Sequence, residues 1–392
     1  MKNLQDFQNA YQRRQALEEN TKTSLSNISR FSFTEEQVKN KNIENLIGAI
    51  QVPLGVAGPI KVQSSKCKAQ SYFIPLATTE GALVASVNRG CKAISEAGGA
   101  NVLVENIGAT RAPVFKTQSI RESQQFIDDI SKNFSLIKEI CESTSFHLKL
   151  LKISPFMLGK NVWLRFIYNS QDAMGLNMVT VATDRAIKDF IEPKLKIKCI
   201  ALSGNVCVDK KPSWLNFIEG RGKKVWAEAN IPAKIVNEVL KTTPENIYQV
   251  WLAKCMLGSA MSGSMAYNSH YANIVAAIFC ATSQDLAHVV EGSLGITTVE
   301  NVKNDLYISV YLPDLVIGTV GGGTGLPTQK EALAIMGIPD KKLDDGQQVL
   351  KLAEIIGGAV LAGELSLLAS LAEGSLARAH QRLGRGKRIT NI

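Results

Sequence analysis

Lys254-Cys-Met-Leu-Gly-Ser-Ala-Met-Ser-Gly-Ser-Met-Ala-Tyr-Asn-Ser-His-Tyr-Ala-Asn-Ile-Val-Ala-Ala-Ile-Phe-Cys-Ala-Thr-Ser-Gln-Asp285 holds thirty consecutive residues without Asp, Glu, Lys or Arg. By length alone it could cross a bilayer. Yet Ser259, Ser262, Ser264, Asn268, Ser269, His270, Asn273 and Gln284 interrupt it, and its purely apolar run is short, Ile274 to Ala281. In lipid those groups would need partners that a lone helix lacks. The stretch therefore reads as a long central helix buried in a soluble protein, with its polar groups turned toward a site.

On either side of it, apolar periodicity changes between two and about 3.6 residues. Residues 1–48 read as polar and helical, with Thr34-Glu-Glu-Gln37 as a capping box. Residues 49–62 read as strand and turn, punctuated by Pro53, Gly55, Gly58 and Pro59. Thr79 is expected to cap a helix through Leu83, Val87, Cys91 and Ile94. From 112 onward, short β-prone runs (112–115, 162–168, 196–202) alternate with helical runs (119–133, 177–191). A strand at 224–230, another near 306–312 and a last long helix from about Asp345 complete the chain. The fold class is α+β: a helical N-terminal domain at 1–48, a large domain at 49–111 and 202–392, and a small domain inserted at 112–201.

The chain has 392 residues, with 44 Lys+Arg against 35 Asp+Glu, a net charge of +9. Five of the cations, Arg378, Arg382, Arg385, Lys387 and Arg388, stand in residues 377–392, which contain no acid. No basic stripe interleaved with aromatics is present, so a nucleic-acid partner is not expected. The seven cysteines form no C-x-x-C pair and the four histidines no H-E-x-x-H, so no metal is expected and free thiols suit a cytoplasmic setting. The N-terminus lacks the apolar segment of a secretory signal.

Several segments carry groups suited to chemistry. Glu80, in phase with Val84, Val87 and Cys91, is expected to point inward as a general acid, or else to be a first-turn Glu facing the helix dipole. Asp209-Lys210-Lys211-Pro212 is an extended loop in which one lysine could polarise a carbonyl, or a solvated charge cluster. The glycines at 318–325 form no phosphate-binding fingerprint; they either admit a cofactor to the backbone or make a tight turn. Asp285 is a surface helix end or a partner for a lysine. His380 lies among cations.

In this order the segments resemble the catalytic part of 3-hydroxy-3-methylglutaryl-coenzyme A (HMG-CoA) reductases. The resemblance runs from Glu44-Asn-Leu-Ile-Gly to His380. It rests on Val52-Pro-Leu-Gly-Val-Ala-Gly-Pro, Thr78-Thr-Glu-Gly-Ala-Leu-Val-Ala-Ser-Val-Asn-Arg-Gly-Cys, Asp172-Ala-Met-Gly-Leu-Asn-Met, Asp209-Lys-Lys-Pro, Glu219-Gly-Arg-Gly-Lys, Gly258-Ser-Ala-Met-Ser-Gly-Ser, Ala272-Asn-Ile-Val, Gly318-Thr-Val-Gly-Gly-Gly-Thr and Gly363-Glu-Leu-Ser-Leu. The Asp-Lys-Lys loop resembles the class I form.

The resemblance implies reduction of the HMG-CoA thioester to mevalonate and free coenzyme A by two hydride transfers. Lys210 would polarise the reacting oxygen, Glu80 would protonate it, Asp285 would join their cluster, and His380 would protonate the leaving thiolate. It implies Arg111, Ser203, Asp209, Lys211, Lys254 and Asn273 for the substrate. For the dinucleotide it implies Asn88, Arg89, Ser145, Asp172, Met174, Gly175, Asn177, Met178, Val320, Gly321, Gly322 and Arg385, on a small ferredoxin-like domain. NADPH is the expected cofactor. Phe146 stands where users of NADPH carry an Arg for the 2′-phosphate, which leaves NADH open; Arg385 and Lys149 are the expected compensation. A homodimer or homotetramer with active sites between subunits is implied, as is a soluble enzyme without the eukaryotic membrane anchor. A phosphorylatable Ser is replaced by Gly386. A non-catalytic coenzyme A-binding relative, or the same enzyme running as mevalonate oxidation, is the alternative.

Overall fold

The computed structural model describes residues 7–39, 41–64, 67–339 and 346–375. Ten strands make one sheet: β1 (Leu54–Ser64), β2 (Cys67–Ala77), β3 (Ala100–Arg111), β4 (Val114–Lys116), β5 (Lys149–Leu158), β6 (Asn161–Asn169), β7 (Cys199–Ala201), β8 (Arg221–Ile231), β9 (Ile296–Val302) and β10 (Asp305–Leu315). Their order along the main path is β7-β4-β6-β3-β8-β10-β9, with β2 on β1, β1 on β3 and β5 on β6. The α+β class stands.

Strand β3 joins two bodies of structure. Asn101 to Gly108 pairs with β8, and Ala109 to Arg111 pairs with β6. On the β8 side lies a large core from Ala57 to Ala369; on the β6 side a second core runs from Ala109 to Ile197. Within 112–201, β4, two helices (Ile120–Lys132, Phe134–Glu142), β5, β6, a helix from Leu176 and β7 follow in turn. That β-α-β-β-α-β succession, with β4 and β6 central, is the ferredoxin-like pattern.

The uncharged stretch 254–285 is not one helix. Residues 252–258 form a π-helical turn, 259–262 a short helix ending at Gly263 in the left-handed region, and Tyr271–Thr282 a separate helix. Its polar residues are the break, because Ser269 and His270 give their backbone N–H groups to the buried Glu364 carboxylate. The central helix is instead the last one, Gln347–Glu373. It is apolar on nearly all sides because sheet and helices surround it. Gly357 faces Val225 and Val102, and Gly363 faces Ile274. Among the described residues it is the one helix long and apolar enough to cross a membrane, and 83% of its apolar window is buried inside the molecule.

Thr34 and Gln37 make the expected capping box, on the short helix Glu35–Val38. Thr79 does not cap a helix. The helix begins at Leu83 behind Ala82, which sits at φ 77 without a side-chain cap. Glu80 therefore stands ahead of the helix, exposed, its N–H bonded to Thr78 Oγ1, and does not point inward.

Candidate active site

The site forms where three backbone breaks meet. After β7 the chain runs through Asn205, Val208 and Lys210, all non-glycine residues at positive φ (64, 47 and 58), a conformation that must be imposed by its surroundings. Helix Tyr271–Thr282 ends at Ser283, also left-handed, which turns Asp285 back toward that loop. Beyond β10, Gly321 and Gly322 take φ 81 and 55 with nothing within 4 Å of where a Cβ would stand. These breaks enclose a cavity of about 670 Å³, lined among others by Arg111, Met174, Asn177, Lys210, Asp285 and Gly321.

Lys210 Nζ lies 2.6 Å from Asp285 Oδ2, each side chain more than a third exposed. Asp285 also caps the following turn by accepting the Ala287 N–H at 3.1 Å. Partial burial pushes the Asp285 carboxyl up, but the Lys210 and Ala287 hydrogen bonds, with the charges of His288 and Lys210, hold it below the usual range. Asp285 is thus a standing carboxylate that keeps an ammonium at the cavity. At this exposure the pair adds little stability; its worth is orientation.

Beneath the pair is a buried polar network. Arg221 donates to Asp209 at 2.7 Å, to Glu291 at 3.1 Å and to Thr110 at 2.8 Å. Glu291 Oε1 accepts the Lys210 backbone N–H at 3.0 Å, and His288 Nδ1 lies 2.6 Å from it. Burial raises the Asp209 carboxyl, but Arg221 above all, then His288 and Arg111, carry it below the ordinary value. Asn216 donates to Asp314, whose carboxyl burial pushes up to about 8 against the pull of Arg221. Arg111, at the end of β3, is buried with no hydrogen-bond partner for its Nε. A buried guanidinium at a cavity wall with a free donor fits an anionic ligand.

The cavity gathers Arg111, Asp209, Lys210 and Asp285 with Met174, Gly175, Asn177, Met178, Val320, Gly321 and Gly322. Gly175, at φ 83, leads into the helix Leu176–Ala186, whose first residues line the same space. Asp172 is held elsewhere: its side chain accepts the Val349 N–H at 2.9 Å and its carbonyl the Thr319 N–H at 2.8 Å. It ties the glycine loop to the central helix and does not line the cavity. Burial raises its carboxyl, opposed by the backbone N–H groups of Val349 and Gln348 and by Lys223.

Among the described residues, the remaining predicted ones do not line this cavity. Glu80 Oε1 accepts from Asn273 Nδ2 at 3.2 Å, so Glu80 joins Asn273 and not Lys210 and Asp285. Arg89 is spent on Ser366, Ser370 and Glu373 of the central helix, and Asn88 accepts the Gly58 N–H. Ser203 lies beside Cys207, and Lys211 donates to the Asp209 carbonyl. Ser145 accepts the His147 N–H, while Lys254 is exposed on the π-helical turn. Lys149 is paired with Glu142 at 3.4 Å, and Phe146 is 98% exposed. His380, Arg385 and Gly386 lie outside the described residues. Sequence reasoning missed His288, Glu291, Asn216 and Asp314. A lone acid inside the apolar run Leu312-Pro-Asp-Leu-Val was the available signal for the last.

The profile of the hydroxymethylglutaryl-coenzyme A reductase family matches residues 9–385. The chain belongs to that family. It is 52% identical over 95% of its length to a 3-hydroxy-3-methylglutaryl-coenzyme A reductase of Methanothermobacter thermautotrophicus, covering 93% of that protein. To the enzyme of that name from Methanocaldococcus jannaschii it is 53% identical, over 95% and 92% of the two chains. A solved class II HMG-CoA reductase from Streptococcus pneumoniae, bound to NADPH in open conformations, superimposes with a TM-score of 0.67 over 93% of this chain and 97% of that one. At 18% identity that likeness shows the family's fold and does not bear on class.

Proposed function

We propose that this member of the family reduces the HMG-CoA thioester to mevalonate and free coenzyme A with NADPH, in the cytoplasm. The observation that carries this reading is the Lys210–Asp285 pair at 2.6 Å in a cavity that also holds Arg111. Reduction of a thioester builds negative charge on its oxygen, and a fixed ammonium is what that charge needs. The reduced nicotinamide supplies hydride. Lys210 holds the oxygen through both reductions, Asp285 keeps Lys210 aimed, and Arg111 pairs with the substrate's terminal carboxylate. Glu80 supplies the proton that ends on oxygen, and His380 the proton for the departing thiolate. Asp209, Lys211, Ser203, Lys254 and Asn273 complete the substrate pocket. The open glycines at 321 and 322 and the N-terminus of helix Leu176–Ala186 suit a dinucleotide's phosphates.

Because Glu80 is bonded to Asn273 and neither lines the Lys210 cavity, a complete site takes them from a second copy, in a homodimer or homotetramer. The Asp209-Lys210-Lys211 loop supports the class I form. Phe146 and the engaged Lys149 leave Arg385 as the candidate contact for a 2′-phosphate.

The test follows reduced-nucleotide consumption with HMG-CoA, using NADPH and NADH side by side for the wild type and Lys210→Ala. Turnover is expected with NADPH preferred, and a loss of roughly 10²–10³-fold in kcat in a folded Lys210→Ala protein. No turnover with either nucleotide overturns the activity. Equal or better use of NADH overturns the cofactor assignment.

A further inference from the structure

Lys210 is held in a left-handed conformation that is uncommon for a residue with a side chain, at φ 58. Its backbone N–H is bound at 3.0 Å by Glu291 Oε1, across more than eighty residues of sequence. The same oxygen takes Arg221 Nη1 at 3.1 Å and stands 2.6 Å from His288 Nδ1. A carboxylate oxygen can only accept, so Nδ1 is the donor. His288 and Glu291 are both fully buried, and His288 stands on the turn that begins with Asp285. Its Nε2 has no hydrogen-bond partner and points to the two acids of the site, 3.7 Å from Asp285 Oδ2 and 3.8 Å from Asp209 Oδ1.

We propose that His288 and Glu291 form a positioning pair that fixes the backbone of Lys210 and the approach of Asp285 to its ammonium. Glu291 reaches the lysine from below through the main chain. His288 braces Glu291 with one nitrogen and spaces the two aspartates with the other. Asp209, His288 and Glu291 also offer donor atoms within 4.8 Å of one another, as a metal site would. Arg221 already bonds both acids, so a guanidinium stands in the place of the ion. The inference rests on the proposed role of Lys210.

The experiment compares His288→Asn with His288→Gln in the nucleotide-consumption assay, with melting curves for each. Asn places an amide N–H where Nδ1 stands and can keep the bond to Glu291. Gln puts its amide at the far end of the ring's position and cannot. The expected result is a kcat for His288→Asn within about threefold of wild type, and for His288→Gln a fall of at least about tenfold, since small displacements of a reacting group are costly. KM for the reduced nucleotide stays within about twofold in both, because no cofactor contact changes. Wild-type kcat in a folded His288→Gln protein overturns the proposal, as does equal loss in the two variants. Should His288→Gln not fold, Glu291→Gln is read in its place: it weakens the hold on Lys210, and an unchanged kcat there overturns the proposal. Lys210→Ala in the same series separates the two levels. If it turns over normally, the role of Lys210 falls; if it is dead while the His288 variants are normal, only the positioning pair falls.

Discussion

A single carboxyl shows how far the surroundings of a residue override its type. Asp314 sits at a core position of β10 with Oδ1 unpartnered, and burial pushes it up to about 8 from an ordinary 3.8. The folded protein thus holds a proton that the unfolded chain releases above pH 3.8. Its stability must fall as pH rises through the window from 3.8 to about 8, and level off above it. Asp209 and Asp285 work in the opposite sense, since both are held below their ordinary values: their contribution is lost as pH falls through their folded values. Asp314→Asn is expected to remove the decline between pH 4 and 8 while leaving the acid loss, as read from Tm across pH. An unchanged slope between those limits would show that Asp314 is not its source. The order of motifs singles out Lys210, Asp285 and Arg111, and all three line one cavity. The orientation of Glu80 was not legible, because a helix start at Ala82 in the left-handed region carries no mark in the local sequence. His288 and Glu291 read as ordinary polar residues until the fold brings them under Lys210.

At the scale of elements, close approach matters more than periodicity. The helix Leu83–Glu96 crosses the central helix at Gly90, where a Cβ would stand 1.9 Å from the Ala362 carbonyl oxygen. Backbone cannot yield there as a side chain would, so Gly90→Ala must separate two core helices. A loss of roughly 1–3 kcal/mol is expected, as for overpacked cores, measured by denaturant unfolding. A midpoint equal to that of the wild type would show that the helices can part freely. The same logic explains why 254–285 misleads. Its hydropathy is that of a long helix, but Glu364 takes the backbone N–H groups of Ser269 and His270 and ends the run. That carboxylate is 94 residues beyond His270, outside any local pattern. The last helix was legible as long, though its central place was not, because position in a core depends on what packs around it.

For the whole molecule, the excess of +9 has a local origin: the final sixteen residues supply five of those charges, and they include His380. Such a tail suits ligands that carry several phosphates, which is what coenzyme A and a dinucleotide are. The alternating short strands and helices at 112–201 differ from the long elements around them, and that segment contributes most of a separate hydrophobic cluster. Among the described residues, the proposed catalytic groups do not share one hydrogen-bonded cluster. Lys210 and Asp285 face the cavity, while Glu80 is bonded to Asn273 elsewhere. If a second copy brings Glu80 to Lys210, two defective proteins can repair each other. Glu80→Gln and Lys210→Ala are each expected to be nearly inactive alone. Co-expressed with different tags and purified as mixed assemblies, they pair so that one site in each mixed dimer carries both intact residues. The purified mixed dimers should then recover about half of wild-type activity, and the unfractionated random mixture about a quarter, from the statistics of a two-fold assembly. Mixed assemblies that co-purify yet stay inactive would place both residues in the same subunit's site, and would require Glu80 to reach Lys210 by a rearrangement within one chain.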